Sequence, residues 1–276
     1  MSMSHGSKVV LVTGASSGIG EACAELLTVR RHRVYGTSRQ PSVKQSVGYQ
    51  MLELDVTRDE SVRAAVRTVL EREGRIDVVV NNAGHALAGA VEDTSDEEAW
   101  RQLDTNVLGV LRVCRAVLPS MRERRSGRII NIGSIGGVVG LPFQGFYSAS
   151  KFALEGLTES LRQEVDAFGI QATLVQPGDV RTGLTQSRVR ASGAGETSAY
   201  RESFEKVLSI IEKEEREGVS AGAVARKVAE VMEEEDPRVR YSVGKWTQRV
   251  AVVAKPLLPS QTFEGILMSM FGLKRR

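Results

Sequence analysis

Short runs of β-branched and apolar residues alternate with stretches of helical periodicity along almost the whole chain, and few architectures accept that alternation. Lys8 to Thr13 opens the series, where Val9, Val10, Leu11 and Val12 predict a buried strand that stops at Gly14. From about Gly18 to Arg30, the residues Ile19, Ala22, Cys23, Leu26 and Leu27 recur at helical spacing and predict a helix. Further strands are predicted over Arg33 to Ser38, Gln50 to Leu54, Ile76 to Asn81, Arg128 to Ile132, Ile170 to Gln176 and Arg238 to Val243. Helices are predicted over Ser61 to Glu73, through Asn106 to about Met121, and over Tyr147 to Phe168. Strands separated by helices of roughly ten or more residues require right-handed βαβ crossovers. The expected fold class is therefore α/β, a Rossmann-like doubly wound parallel sheet with helices on both faces. Ligands of such sheets sit beyond the carboxyl ends of the strands, where the polar motifs of this chain fall.

No Pro/Ser-rich linker or repeat divides the 276 residues, so residues 1–276 are expected to form one domain. With 41% hydrophobic residues and a mean hydropathy of −0.17, the chain can bury a large core. No apolar run approaches the ~18 to 20 residues that a spanning helix needs. The formal charge of +3 comes from interspersed Lys, Arg, Asp and Glu, which argues against a nucleic-acid partner. Cys23 and Cys114 lie in helix-like stretches without ligand spacing, so neither a disulfide framework nor a metal site is expected. Met1 to Ser7 is polar and lacks an apolar leader core; a reducing cytoplasm is the expected location.

Thr13-Gly14-Ala15-Ser16-Ser17-Gly18-Ile19-Gly20 joins the first strand to the first helix. Its glycines permit a tight turn and close backbone approach, so the N–H groups of the helix N-terminus can hold a pyrophosphate. The spacing G-x-x-x-G-x-G differs from the G-x-G-x-x-G dinucleotide pattern, but the mechanism is the same. Where an NAD site carries an acid for the ribose 2′-hydroxyl, the second strand ends Gly36-Thr37-Ser38-Arg39. Arg39 suits a 2′-phosphate, which predicts preference for NADP(H) over NAD(H). Asp55 and Val56 follow the third strand and fit either contact with an adenine ring or, for Asp55, an N-cap of the next helix.

Tyr147 and Lys151 stand four residues apart in Tyr147-Ser148-Ala149-Ser150-Lys151, on one face of a predicted helix. A nearby ammonium favours the phenolate and would pull the Tyr147 pKa down from ~10. A tuned phenol trades a proton with an alcohol or ketone.

These residues, together with Asn81-Asn82-Ala83-Gly84, Asn106, Ser134 and Pro177-Gly178 in that order, resemble the short-chain dehydrogenase/reductase superfamily over most of the chain. The resemblance implies that Tyr147 is the acid/base and that Ser134 hydrogen-bonds the substrate oxygen where negative charge grows. It implies two tasks for Lys151, lowering the Tyr147 pKa and binding the nicotinamide ribose. Asn106, a middling helix former within its helix, would distort that helix and hold a water in the proton relay. The cofactor set implied is Gly14, Ser16, Ser17, Gly18, Ile19, Gly20, Arg39, Asp55, Val56, Asn82, Ala83, Gly84, Tyr147, Lys151, Pro177, Gly178, Val180 and Thr182. Pro177 and Gly178 would flank the nicotinamide and Thr182 would bond its carboxamide.

Gly136 to Phe146, with Val138, Val139, Leu141, Pro142 and Phe143, joins Asp179, Val180 and a lid at about 182–219 as the expected substrate-shaping segments. His85 is left out of the site. The C-terminal extension at about 245–276 is apolar with a basic end, and Pro256 and Pro259 exclude one long amphipathic helix. Closing the substrate pocket or packing a subunit interface is favoured for it over peripheral membrane contact. Val34 to Arg39, Tyr147 to Arg162, Arg238 to Gly244 and this extension look most like the 17β-hydroxysteroid and retinol dehydrogenase type. The expected activity is NADP(H)-dependent hydride transfer with a lipophilic, steroid- or retinoid-like ketone or alcohol. A 3-oxoacyl thioester reductase is the alternative enzyme, and an NADP(H)-sensing binding module the alternative outside catalysis. The resemblance also implies a homodimer or homotetramer.

Overall fold

The computed structural model describes residues 6–41, 48–183 and 188–274. Seven strands form one parallel sheet: β1 (Val9–Val12), β2 (Arg33–Ser38), β3 (Gln50–Glu53), β4 (Val78–Asn81), β5 (Gly127–Ile132), β6 (Ile170–Pro177) and β7 (Arg240–Val243). Their order across the sheet is β7-β6-β5-β4-β1-β2-β3, so the winding reverses between β1 and β4. That reversal opens a crevice at the carboxyl ends of the two strands.

The unbroken apolar runs of the strands follow from burial on both faces, because side chains alternate with period two. Val9 and Leu11 point to one core with Val79, Ile129 and Leu174, covered by α2 (Asp59–Glu73), α4 (Gly109–Glu123) and α5 (Gly145–Asp166). Val10 and Val12 point to the opposite core with Val80, Ile130 and Val175, covered by α1 (Gly18–Val29) and α7 (Ala221–Glu233). Each fully buried aliphatic side chain, such as Leu11 or Leu174, stabilises the fold by ~1.5 to 3 kcal/mol relative to exposure.

Two departures from the sequence reading have physical causes. The helix expected through Asn106 is divided into α3 (Asp96–Leu103), a π-helical turn (Asp104–Leu108) and α4. The α3 start is fixed by a capping box, with Ser95 Oγ accepting from Glu98 N at 3.3 Å and Ser95 N donating to Glu98 Oε2 at 2.9 Å. The second departure is α7, which was not anticipated; Val224, Val228, Val231 and Met232 are completely buried there beneath the sheet.

Beyond α6 (Arg201–Arg216), the C-terminal extension forms two short helices, α8 (Trp246–Ala254) and α9 (Ser260–Met270), separated by the segment holding Pro256 and Pro259. Neither carries a buried residue. Among the described residues, no helix is long and apolar enough to cross a membrane. Of the expected lid, residues 184–187 lie outside the described residues, as do 1–5 of the N-terminal stretch and the last two of the tail.

Candidate active site

A cavity of about 1200 Å³ runs over the carboxyl edge of the sheet, from the β1–α1 turn past Tyr147 to α9. It exceeds the ~300 to 1,000 Å³ usual for one small ligand.

Two clamped loops build its nucleotide end. Gly14 and Gly18 take left-handed backbone, at φ 66° and 60°, which side chains resist. A Cβ on Gly14 would stand 2.9 Å from Ala83 Cα, and one on Gly20 would strike the Gly14 carbonyl and the Asn82 amide. Asn82 Nδ2 donates to the carbonyls of Thr13 and Gly14, both at 3.0 Å, while Thr13 Oγ1 accepts from the Asn82 and Ala83 amides at 2.9 and 3.0 Å. The turns after β1 and β4 therefore hold each other in register. Ser17 adopts extended backbone before α1 without a side-chain cap. First-turn N–H groups are thus left for an anion where Gly14, Ser16, Ser17, Gly18 and Ile19 line the cavity. Gly20 lies outside the lining and serves the close packing of the two loops.

Arg39 is exposed just past β2 and lines the same end, and no carboxylate among the described residues pairs with it. Asp55 does not cap α2, whose N-cap is Arg58. Its Oδ1 instead accepts from Thr57 N at 2.9 Å and Thr57 Oγ1 at 2.7 Å, an Asx turn that leaves Asp55 and Val56 on the cavity wall. Asn82, Ala83 and Gly84 line the cavity, as do Pro177, Gly178, Val180 and Thr182 after β6.

Tyr147, near the start of α5, and Ser134, just past β5, meet on the cavity wall, where a Cβ on Gly136 would lie 3.4 Å from the Tyr147 ring and 3.3 Å from Ser134 Oγ. Ser134 Oγ accepts from Gly136 N at 3.0 Å, which fixes the hydroxyl at the head of a 3₁₀ turn. One turn along α5, Lys151 sends its ammonium back to the Ile132 carbonyl at 2.9 Å, with Nζ 6.0 Å from the centre of the Tyr147 ring. Burial lowers Lys151 from 10.5 to about 8, and Glu155 opposes the shift. The Tyr147 phenol moves opposite to the sequence expectation. Burial raises it above its ordinary value, while Ser134 opposes this.

Asn106 is buried in the π-helical turn and lies outside the cavity lining. Its Nδ2 donates to His85 O at 3.1 Å and Ser150 Oγ at 3.0 Å, and its Oδ1 accepts from His85 N at 3.1 Å. Ser150 in turn donates to the Tyr147 carbonyl at 2.7 Å. Asn106 thus ties the loop after β4 to the helix that presents Tyr147.

Several pocket residues escaped the sequence reading. His85 lines the cavity, its pKa lowered first by burial and then by Arg39. Arg188 and Glu215, from stretches read as a solvated lid, form a buried ion pair on the wall. Asp179 beside them is raised to about 6, chiefly by burial and by Glu215, with the Gln248 hydrogen bond opposing. Val250, Ala251 and Ala254 of α8, then Leu258, and Phe263, Ile266, Leu267 and Met270 of α9 complete an apolar wall. The extension therefore closes one side of the cavity. The signal for α8 and α9 was the apolar tail itself; nothing in the sequence links residues 188 and 215.

The family model for short chain dehydrogenases matches residues 8–193. A 3-ketodihydrosphingosine reductase of Bacteroides thetaiotaomicron is 44% identical over 268 residues, covering 97% of this chain and 99% of that protein. The 17-beta-hydroxysteroid dehydrogenase type 1 of Homo sapiens is 40% identical over 193 residues, covering 64% of this chain and 58% of its own. A solved short-chain dehydrogenase from Streptomyces avermitilis superposes with a TM-score of 0.83 at 33% identity, covering 98% of both chains. Other solved neighbours hold NADP in one case and NAD in another, so the fold leaves that choice to individual side chains. Motif order, sheet winding and full-length similarity agree that this chain belongs to the short-chain dehydrogenase/reductase family of oxidoreductases.

Proposed function

We propose that the protein is an NADP(H)-dependent reductase of lipophilic ketones, with Tyr147 as the proton donor. The observation that carries this reading is the juxtaposition of Tyr147 and Ser134 on the cavity wall, one helical turn from the buried Lys151, in a cavity with one strongly apolar wall.

The glycine cradle, the uncapped α1 terminus and Arg39 fit a phosphorylated dinucleotide, with Pro177, Gly178, Val180 and Thr182 beside its nicotinamide. When bound there, the nicotinamide supplies the hydride that reaches the substrate carbon. Ser134 donates to the carbonyl oxygen as negative charge develops on it. Tyr147 Oη then gives that oxygen its proton. Burial favours the neutral phenol, the form an acid needs, and the Lys151 ammonium steadies the phenolate left behind. In the oxidative direction the same phenolate accepts the proton of an alcohol.

A long-chain ketone is favoured over a rigid steroid. The relative named for 3-ketodihydrosphingosine matches along the full chain, whereas the steroid enzyme matches about two thirds of it. The test is consumption of NADPH with 3-ketodihydrosphingosine, steroid ketones and a 3-oxoacyl thioester. Reduction of the long-chain ketone is expected, and Tyr147→Phe should lower kcat by ~10²-fold or more while leaving NADPH binding intact. Turnover of the thioester alone would replace this reading with the thioester reductase.

A further inference from the structure

Beside Tyr147 the cavity changes character. The carboxylates of Glu215 and Asp179 and the guanidinium of Arg188 all act on its phenol, which places the three within electrostatic reach of the reacting oxygen. Arg188 has a side chain only 3% exposed and pairs with Glu215 through Nη2. Its Nε and Nη1 are buried on the cavity wall without a hydrogen-bond partner among the described residues. A guanidinium carries five N–H groups in a fixed fork, so most of this one is unspent, and an unspent buried donor is costly unless a ligand takes it. Asp179 is the complement. One of its oxygens, Oδ2, accepts from the Gln248 amide, and no cation among the described residues lies within ion-pair distance. Glu214, on the same wall, is bonded to Lys245 at 2.8 Å. A negative group and an unspent set of donors therefore share the lining of one cavity, both within electrostatic reach of the Tyr147 phenol.

Resting on the reductase reading above, we propose that Asp179, Glu215 and Arg188 form a headgroup subsite that selects α-amino ketones. Asp179, assisted by Glu215, holds an ammonium on the carbon next to the carbonyl, and the free N–H groups of Arg188 hold a neighbouring hydroxyl oxygen. The alkyl chain on the other side of the carbonyl runs along Leu258, Ile266, Leu267 and Met270. A substrate without the ammonium leaves Asp179 desolvated and unmatched, and rejection of it follows from that cost.

The test compares three ketones of equal chain length with NADPH and the full-length enzyme: a 2-amino-1-hydroxy-3-ketone, its N-acetyl derivative and the plain alkyl 3-ketone. The wild type should favour the free amine over the N-acetyl compound by ~30-fold or more in kcat/KM, chiefly through KM. In Asp179→Asn that ratio should fall about tenfold or more, and Arg188→Met should reduce the advantage of the 1-hydroxyl over its deoxy analogue. Equal kcat/KM for all three ketones in the wild type overturns the subsite and leaves the reductase reading standing. Reduction of none of them overturns both. An Asp179→Asn enzyme that turns over the amine with the wild-type ratio also overturns the subsite.

Discussion

The cofactor preference proposed for this enzyme rests on Arg39 and on the want of a carboxylate at the end of β2, where the strand closes Thr37-Ser38-Arg39. A hydrogen bond to a charged group contributes ~1.5 to 3 kcal/mol, or roughly 10- to 150-fold in affinity. Arg39→Glu is therefore expected to lower the NADPH-to-NADH ratio of kcat/KM by about that factor, and an unchanged ratio would remove Arg39 from the site. Lys151 gives a second prediction at this scale. With its ammonium titrating at about 8, reduction should slow as the pH rises through that value, and Lys151→Arg, which stays charged, should lose this limb of the kcat profile. Stability runs the other way. Between about 8 and the ordinary 10.5 the unfolded chain holds a proton on Lys151 that the folded chain has released, so this group makes folding more favourable as pH rises through the window.

At the scale of elements, the π-helical turn is the least regular part of the central helices and carries Asn106. Asn106→Leu would strand the His85 N–H and remove one of the two donors to the His85 carbonyl and the donor to Ser150 Oγ. A loss of ~2 to 4 kcal/mol, seen as a fall in Tm of several degrees, is expected together with reduced kcat; an unaltered Tm would argue against the tie it makes to α5. The sequence could foretell a distortion there only through the family pattern, because Asn alone is merely a middling helix former. Strands were easier to foresee. Val9 to Val12 and Val78 to Val80 are apolar on both faces, and only burial in a parallel sheet satisfies such runs. Helix α7 was passed over because it follows a highly charged stretch and has small residues, Ala221, Gly222, Ala223 and Ala225, in its first turns. The Arg188–Glu215 pair was illegible for another reason. Its members stand in segments that read as solvated, and only the chain's return over the sheet brings them together.

On the scale of the molecule, the two ends of the cavity come from different stretches of chain. Much of the nucleotide end is built from residues 14–84, while the wall beyond Tyr147 draws on residues 179–271. Because α8 and α9 bury no residue, changes there should alter selectivity more than folding. Leu267→Asp is expected to raise KM for long-chain ketones by about tenfold while leaving Tm within a few degrees and short ketones little affected; a collapse of the fold would contradict this division. Both α8 and α9 follow β7, the strand that completes the sheet at one edge. Inheritance can thus rework the extension without touching the sheet: a lineage that exchanges only the stretch after β7, its last thirty or so residues, acquires a new diet of substrates while keeping its reductant, and a chimaera joined just past Val243 is the shortest route to retargeting this enzyme.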